Sequence, residues 1–141
     1  MADESIVYKT LKKLHPQAHW VRLEAWSAVG CPDVNGCLGG VDIWVESKEV
    51  YLSSDRNLDD SLDAIVKAGN TRKSQMAWLT LRALAGGNVY VGFMLNGKLI
   101  MLNGRLSVRL KRGMKLREVL SHAIDPVTIF NKTGVGLLNA D

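Results

Sequence analysis

Cysteine is scarce in this chain. Two of them, Cys31 and Cys37, in 141 residues are too few for a disulfide framework, and with no CxxC pair and no neighbouring histidine they offer no zinc site. They read as small, partly buried, reduced residues. No apolar run approaches the roughly 20 residues that a membrane helix needs. The opening MADESIVYKT is acidic and lacks the basic and apolar regions of a signal peptide. Both absences lead us to expect a cytoplasmic protein with no membrane partner. There is no internal repeat, low-complexity tract or heptad array. The P-loop, the GxSxG elbow, the HExxH helix and the aromatic strand pair of RNA-binding sheets are missing as well.

What the chain does have is an ordinary globular balance, 47% hydrophobic and 23% charged, which excludes a disordered or fibrous chain. Its length suits one compact domain, expected over residues 1–125, with a tail over residues 126–141. A net charge of +4 and a pI near 9.2 are compatible with nucleic acid as a partner. The charges are unevenly placed. Acids gather near the start and between Asp55 and Asp63, whereas residues 105–117 carry Arg105, Arg109, Lys111, Arg112, Lys115 and Arg117 with no acid among them.

The organising stretch is residues 30–50, GCPDVNGCLGGVDIWVESKEV. Turn residues bound a β-branched and aromatic run, which reads as a strand. Its side chains alternate, so Asp42, Trp44, Glu46 and Lys48 share one face, and Val41, Ile43 and Val45 share the other, the expected core face. A two-residue turn at Gly39-Gly40 suits a tight hairpin, because such turns need positive φ. In that register Asp33 lies directly opposite Glu46, on the same face, with Cβ atoms roughly 4.5–5.5 Å apart. A turn at Asn35-Gly36 would instead separate the two. Carboxylates that close repel unless one is protonated or a cation lies between them. Mg²⁺ typically takes one or two carboxylates and keeps several waters, and the Lys48 ammonium is placed to orient one of those waters.

Gly30-x-Pro32-Asp33, followed by Glu46-x-Lys48 at the end of an apolar strand, resembles the PD-(D/E)xK nuclease superfamily, and within it the VRR-NUC and Holliday-junction-resolvase-like branch. Arg72-Lys73-Ser74-Gln75-Met76-Ala77-Trp78, then Gly86-Gly87 and a strand from residue 88, are similar to the helix and strand that follow the ExK strand in that branch. The likeness covers roughly residues 20 to 95. Ser47 stands where the family often has an apolar residue, a position expected to give only its backbone carbonyl. The resemblance implies an α/β fold with a restriction-endonuclease-like core, a small mixed sheet of about five strands flanked by helices. It implies a metal-dependent endodeoxyribonuclease using Mg²⁺ or Mn²⁺, with Asp33, Glu46 and the Ser47 carbonyl as ligands, Lys48 as the water-positioning group and Gln75 lining the site. Glu4 is the position that matches the acidic ligand some relatives bring from the first helix, although a first-turn Glu also simply favours the helix dipole.

Elsewhere, residues 4–14 read as a helix stopped by Pro16, and residues 20–28 as a strand with Trp20, Arg22, Glu24 and Trp26 on an outer face. Residues 52–70 read as a polar flap with a weak helical run over 58–68. Thr71 reads as the N-cap of a helix over 72–85, whose start places Arg72 and Lys73 where backbone N–H groups favour a phosphate. Asn96-Gly97 is a hairpin turn between strands over 88–95 and 98–102. Residues 105–111 alternate like a strand, with Arg105, Arg109 and Lys111 on a basic face that suits phosphates, or solvent. A last helix covers 116–123. The tail, with Val135, Leu137 and Leu138, finds no evident core to join.

The expected substrate is DNA, branched or a four-way junction, cut by a homodimer that uses the outer tryptophans and the tail as its interface. The alternatives are a less specific DNase or restriction-type nuclease, and a catalytically silent nucleic-acid-binding module.

Overall fold

The computed structural model describes residues 5–23, 30–53, 61–132 and 136. Along the chain come α1 (Ile6–Leu14), β1 (His19–Arg22), β2 (Val34–Leu38), β3 (Val41–Ser47), β4 (Val50–Ser53), β5 (Ile65–Ala68), α2 (Lys73–Leu84), β6 (Asn88–Leu95), β7 (Lys98–Asn103), α3 (Ser107–Arg112), β8 (Met114–Lys115) and α4 (Leu116–His122). The main sheet has the order β1-β2-β3-β6-β7, and a smaller one the order β4-β5-β8. In the main sheet β3 and β6 are parallel, and the other neighbours are antiparallel. The protein is therefore mixed α/β, with a mixed sheet and four helices among the described residues.

The main sheet is covered on both faces. Val34, Val41, Ile43, Val45, Tyr90 and Met101 pack beneath Val7 and Leu11 of α1. Val89, Val91, Phe93, Ile100 and Leu102 face the opposite way, onto Leu79 of α2, Leu110 of α3 and Val119 of α4. A strand buried on both faces loses the apolar–polar alternation that would mark one face as solvent. Trp44 illustrates this. It lies on the face expected to be polar, yet it packs into the second core and meets Trp78 edge-to-face at 5.5 Å.

Five expectations need correction here. Residues 105–111 are not a strand: a 3-10 turn, Gly104–Leu106, runs into α3. Leu106 and Leu110, which alternate with basic residues, are also four apart, and helical spacing buries both. The run over 58–68 is not helical where it is described, apart from one 3-10 turn (Ser61–Asp63), because Ile65–Ala68 is β5 with Val66 and Ala68 buried. The cap of α2 is Arg72, while the Thr71 hydroxyl donates to the Gly69 carbonyl. Cys37 is exposed rather than partly buried. Finally, Trp20 is partly buried rather than a free outer surface. Its ring meets Tyr8 of α1 and Phe130 edge-to-face, at 6.4 and 5.7 Å. The start of the tail helps to cover it, with Ile129 buried in the α1-side core. The first strand ends at Arg22. Glu24, Trp26, Val135, Leu137 and Leu138 lie outside the described residues.

Candidate active site

The β2–β3 turn is Gly39-Gly40, with φ of +60° and +82°. Leu38 pairs with Val41 and Val34 with Val45. One step beyond that last pair, Asp33 stands across from Glu46, the register that the turn chemistry implies. The Glu46 side chain lies on the face that α2 covers, whereas Asp33 lines the cleft beside α1.

Each member of the site is held by a backbone or side-chain partner. The Ser47 N–H donates to Asp33 Oδ1 at 2.8 Å. Glu46 is only 5% exposed, and Lys48 Nζ lies 3.5 Å from its Oε2. That ammonium donates to Gln75 Oε1 and to the Asn70 carbonyl, each at 2.8 Å. Gln75 closes the circuit, with Nε2 3.4 Å from Glu46 Oε2, while its Oε1 also accepts from the Arg72 N–H at 3.3 Å. The first turn of α2 thus spends its N3 side chain on its own cap and on the strand acid–base pair together.

Gly30 explains how the loop bearing Asp33 reaches α2. Its φ is +79°, and a Cβ there would lie 2.3 Å from the Ser74 carbonyl oxygen. Only glycine permits both that conformation and that approach.

Burial raises the Asp33 carboxyl above its usual range, against the pull of the Ser47 N–H. Burial, and then the charge of Asp33, push Glu46 up to about 7. Two facing carboxylates with so little solvent call for positive charge, of which Lys48 supplies part beside Glu46 and Arg22 part near Asp33. Ser47 adds a further oxygen. Its N–H points to Asp33, and in an extended strand the carbonyl of the same residue points the same way. Lys48 N–H, by contrast, donates to Gly92 on β6. Two carboxylates and one carbonyl fit a hard dication that keeps its remaining ligands as water. No group of three or more His, Cys, Asp or Glu occurs among the described residues, and Glu4 lies outside them. On the α1 side a cleft of about 600 Å³ opens at this point, lined by Ser5, Asp33, Ser47, Lys48 and Met94 among others.

The residues expected to track DNA are distributed differently. Arg72 and Lys73 are exposed at the start of α2. Arg105 is exposed on the 3-10 turn, and Arg109 is spent on an ion pair with Glu118. Lys111 lines a second cleft of about 570 Å³ together with Lys67, Lys73 and Arg112. Sequence reasoning missed Lys67 and Arg112 as members of a surface. The signal for Lys67 was its place between two apolar residues of a short strand. The Asn70 carbonyl left no signal, since every residue carries one. No family model matches the chain, and no curated protein matches it.

Proposed function

We propose that the protein is a metal-dependent endodeoxyribonuclease with a restriction-endonuclease-like core, cutting one strand of branched DNA. One observation carries this reading: Asp33, Glu46, Lys48 and Gln75, spread over 43 residues of sequence, converge in one hydrogen-bonded cluster at the end of β3. Asp33, Glu46 and the Ser47 carbonyl would hold Mg²⁺ or Mn²⁺. When bound, such an ion acts as a Lewis acid on the phosphate and lowers the pKa of a bound water. Lys48, fixed by Gln75 and Asn70, orients the attacking water and offsets charge that builds on the phosphate. Gln75 keeps Lys48 and Glu46 in register with one another. Trp20 packs against Tyr8 and Phe130 within the chain, so one cut per encounter is the simpler expectation.

The test is incubation with Mg²⁺ and a panel of blunt duplex, flap, single-stranded and four-way-junction DNAs. Cleavage is expected with Mg²⁺ or Mn²⁺ and not with Ca²⁺, which takes more ligands at longer distances. Asp33→Ala, Glu46→Ala and Lys48→Ala are each expected to lower the rate by about 10²–10⁴-fold. Turnover in excess EDTA, or wild-type rates in all three variants, would remove the mechanism. Paired symmetric cuts in the junction would restore the dimer.

A further inference from the structure

The small sheet presents a feature that the acid–base cluster does not use. Lys67 of β5, Lys73 at the start of α2, and Lys111 and Arg112 at the end of α3 line one open cleft, with Asn70 and Thr71 on its floor and no acid among its lining residues. Among the described residues none of these four cations is in an ion pair. By contrast, Arg109, Lys115 and Arg117 nearby are paired with Glu118 or Asp63. The cleft therefore holds a concentration of positive charge that no acid among the described residues pairs with.

An aromatic side chain stands beside Lys67, on the neighbouring strand. Tyr51 of β4 pairs directly with Lys67 of β5, so the two side chains leave the same face of the small sheet. Tyr51 is 61% exposed. Its ring lies against Gly69 so closely that a Cβ there would come within 2.8 Å of Cε2. A largely exposed aromatic ring can stack a base, and such a ring beside phosphate-binding cations is a recurring arrangement in single-strand binding. The cleft is also wired to the cluster described above, since Asn70, one of its lining residues, receives the Lys48 ammonium through its carbonyl.

We infer that Tyr51, Lys67, Lys73, Lys111 and Arg112 form a track for single-stranded DNA that leads a splayed arm to Lys48. The inference rests on the nuclease reading for its direction, and it narrows the substrate to branched DNA with an unpaired arm at the cut. Phosphates follow the four cations, and one base stacks on Tyr51. In a duplex the bases are already stacked on one another, so it gains chiefly the phosphate contacts.

Binding measured in EDTA, where no cleavage can occur, separates the two ideas. A fluorescently labelled oligothymidylate of 15 nucleotides is titrated at several salt concentrations, beside a blunt duplex of the same length. Tighter binding to the single strand is expected. Tyr51→Ala is expected to weaken it about tenfold, with Tyr51→Phe close to wild type. Lys111→Ala with Arg112→Ala is expected to lower the salt slope by about 1.4, near 0.7 for each lost contact. All three positions are solvent-facing or cleft-lining, and thermal melts verify the fold of each variant. Equal affinity for duplex and single strand, or wild-type binding and slope in these variants, would overturn the track. Single-strand binding that meets these expectations without cleavage in Mg²⁺ would keep the track and defeat the nuclease.

Discussion

The hairpins β2–β3 and β6–β7 share their construction. Each turns on two residues with positive φ, Gly39-Gly40 in one and Asn96-Gly97 in the other, and each sets an in-register antiparallel pair. What they carry differs. In β6–β7 the alternate residues Val91, Phe93, Ile100 and Leu102 fill one core, and Tyr90, Leu99 and Met101 fill the other. In β2–β3 the α1 face is equally apolar, but the α2 face runs from Trp44 straight to Glu46, with Asp33 across from it. The first hairpin thus places charge where the second places methyl groups. Burial that stabilises β6–β7 raises both carboxyls in β2–β3, so the site is held in place by its neighbours rather than contributing to their stability.

The sharpest way to break the comparison is to damage the apolar hairpin. Phe93 is fully buried, and Phe93→Ala is expected to cost about 3–5 kcal/mol of stability. Chemical denaturation should show a large fall in midpoint. Whatever folded fraction remains is expected to keep any metal-dependent cleavage, since the Phe93 side chain has no polar atom to take part in the hydrogen-bonded cluster.

The opposite change belongs to the charged hairpin. In the metal-free protein Glu46 titrates near 7 when folded, against an ordinary 4.5. A raised carboxyl contributes stability below the lower value and loses it as pH rises through the upper one. The metal-free stability should therefore fall between about pH 4.5 and 7 by an amount on the order of 3 kcal/mol, and the melting temperature should fall with it. Glu46→Gln, which stays neutral, should flatten that fall. Added Mg²⁺ should raise the melting temperature of the wild type at pH 8 and leave the Gln variant unmoved. A wild-type pH profile in Glu46→Gln would show that the carboxyl is not the source.

A smaller effect tests how the charged hairpin is anchored. Gly30→Ala meets both a positive φ and the Ser74 carbonyl, and is expected to cost about 1–3 kcal/mol. The loop must move to relieve the contact, so cleavage should fall further than stability alone explains. Gly39→Ala is the control, with the same sign of φ but nothing within 4 Å of the added methyl. It should cost about 1 kcal/mol and leave the cleavage rate unchanged. Parallel losses of rate in the two variants would refute an anchoring role for Gly30.

Much of this arrangement was legible in the sequence because turn chemistry is local. Gly39-Gly40 and Asn96-Gly97 fix their registers from two residues each, and the first register alone brings Asp33 across from Glu46. The failures came where one pattern serves two periods. Leu106 and Leu110 fit a strand and a helix equally, and the helix wins because it buries both against Val66 and Val119 in a single core. Ile65 and Val66 are too few to announce a strand within a polar stretch, and only pairing with β4 and β8 makes them one. The covering of Trp20 by Phe130 joins residues 110 positions apart, and no local signal reports it. The cleft shared by Lys67, Lys73, Lys111 and Arg112 is equally non-local, since it draws on three elements.

The parallel pairing of β3 with β6 has a consequence for the order of folding. Ser47 finds Gly92 only after the chain has laid down β4, β5 and α2, and such distant pairings form slowly because the intervening loop must close first. The hairpin that bears Asp33 and Glu46 is local and can form early. Gln75, and the Asn70 carbonyl that steadies Lys48, arrive only with the crossover. During synthesis the emerging chain thus displays its two acids before the groups that hold Lys48 arrive, and the hydrogen-bonded cluster exists only in molecules that have completed the whole sheet.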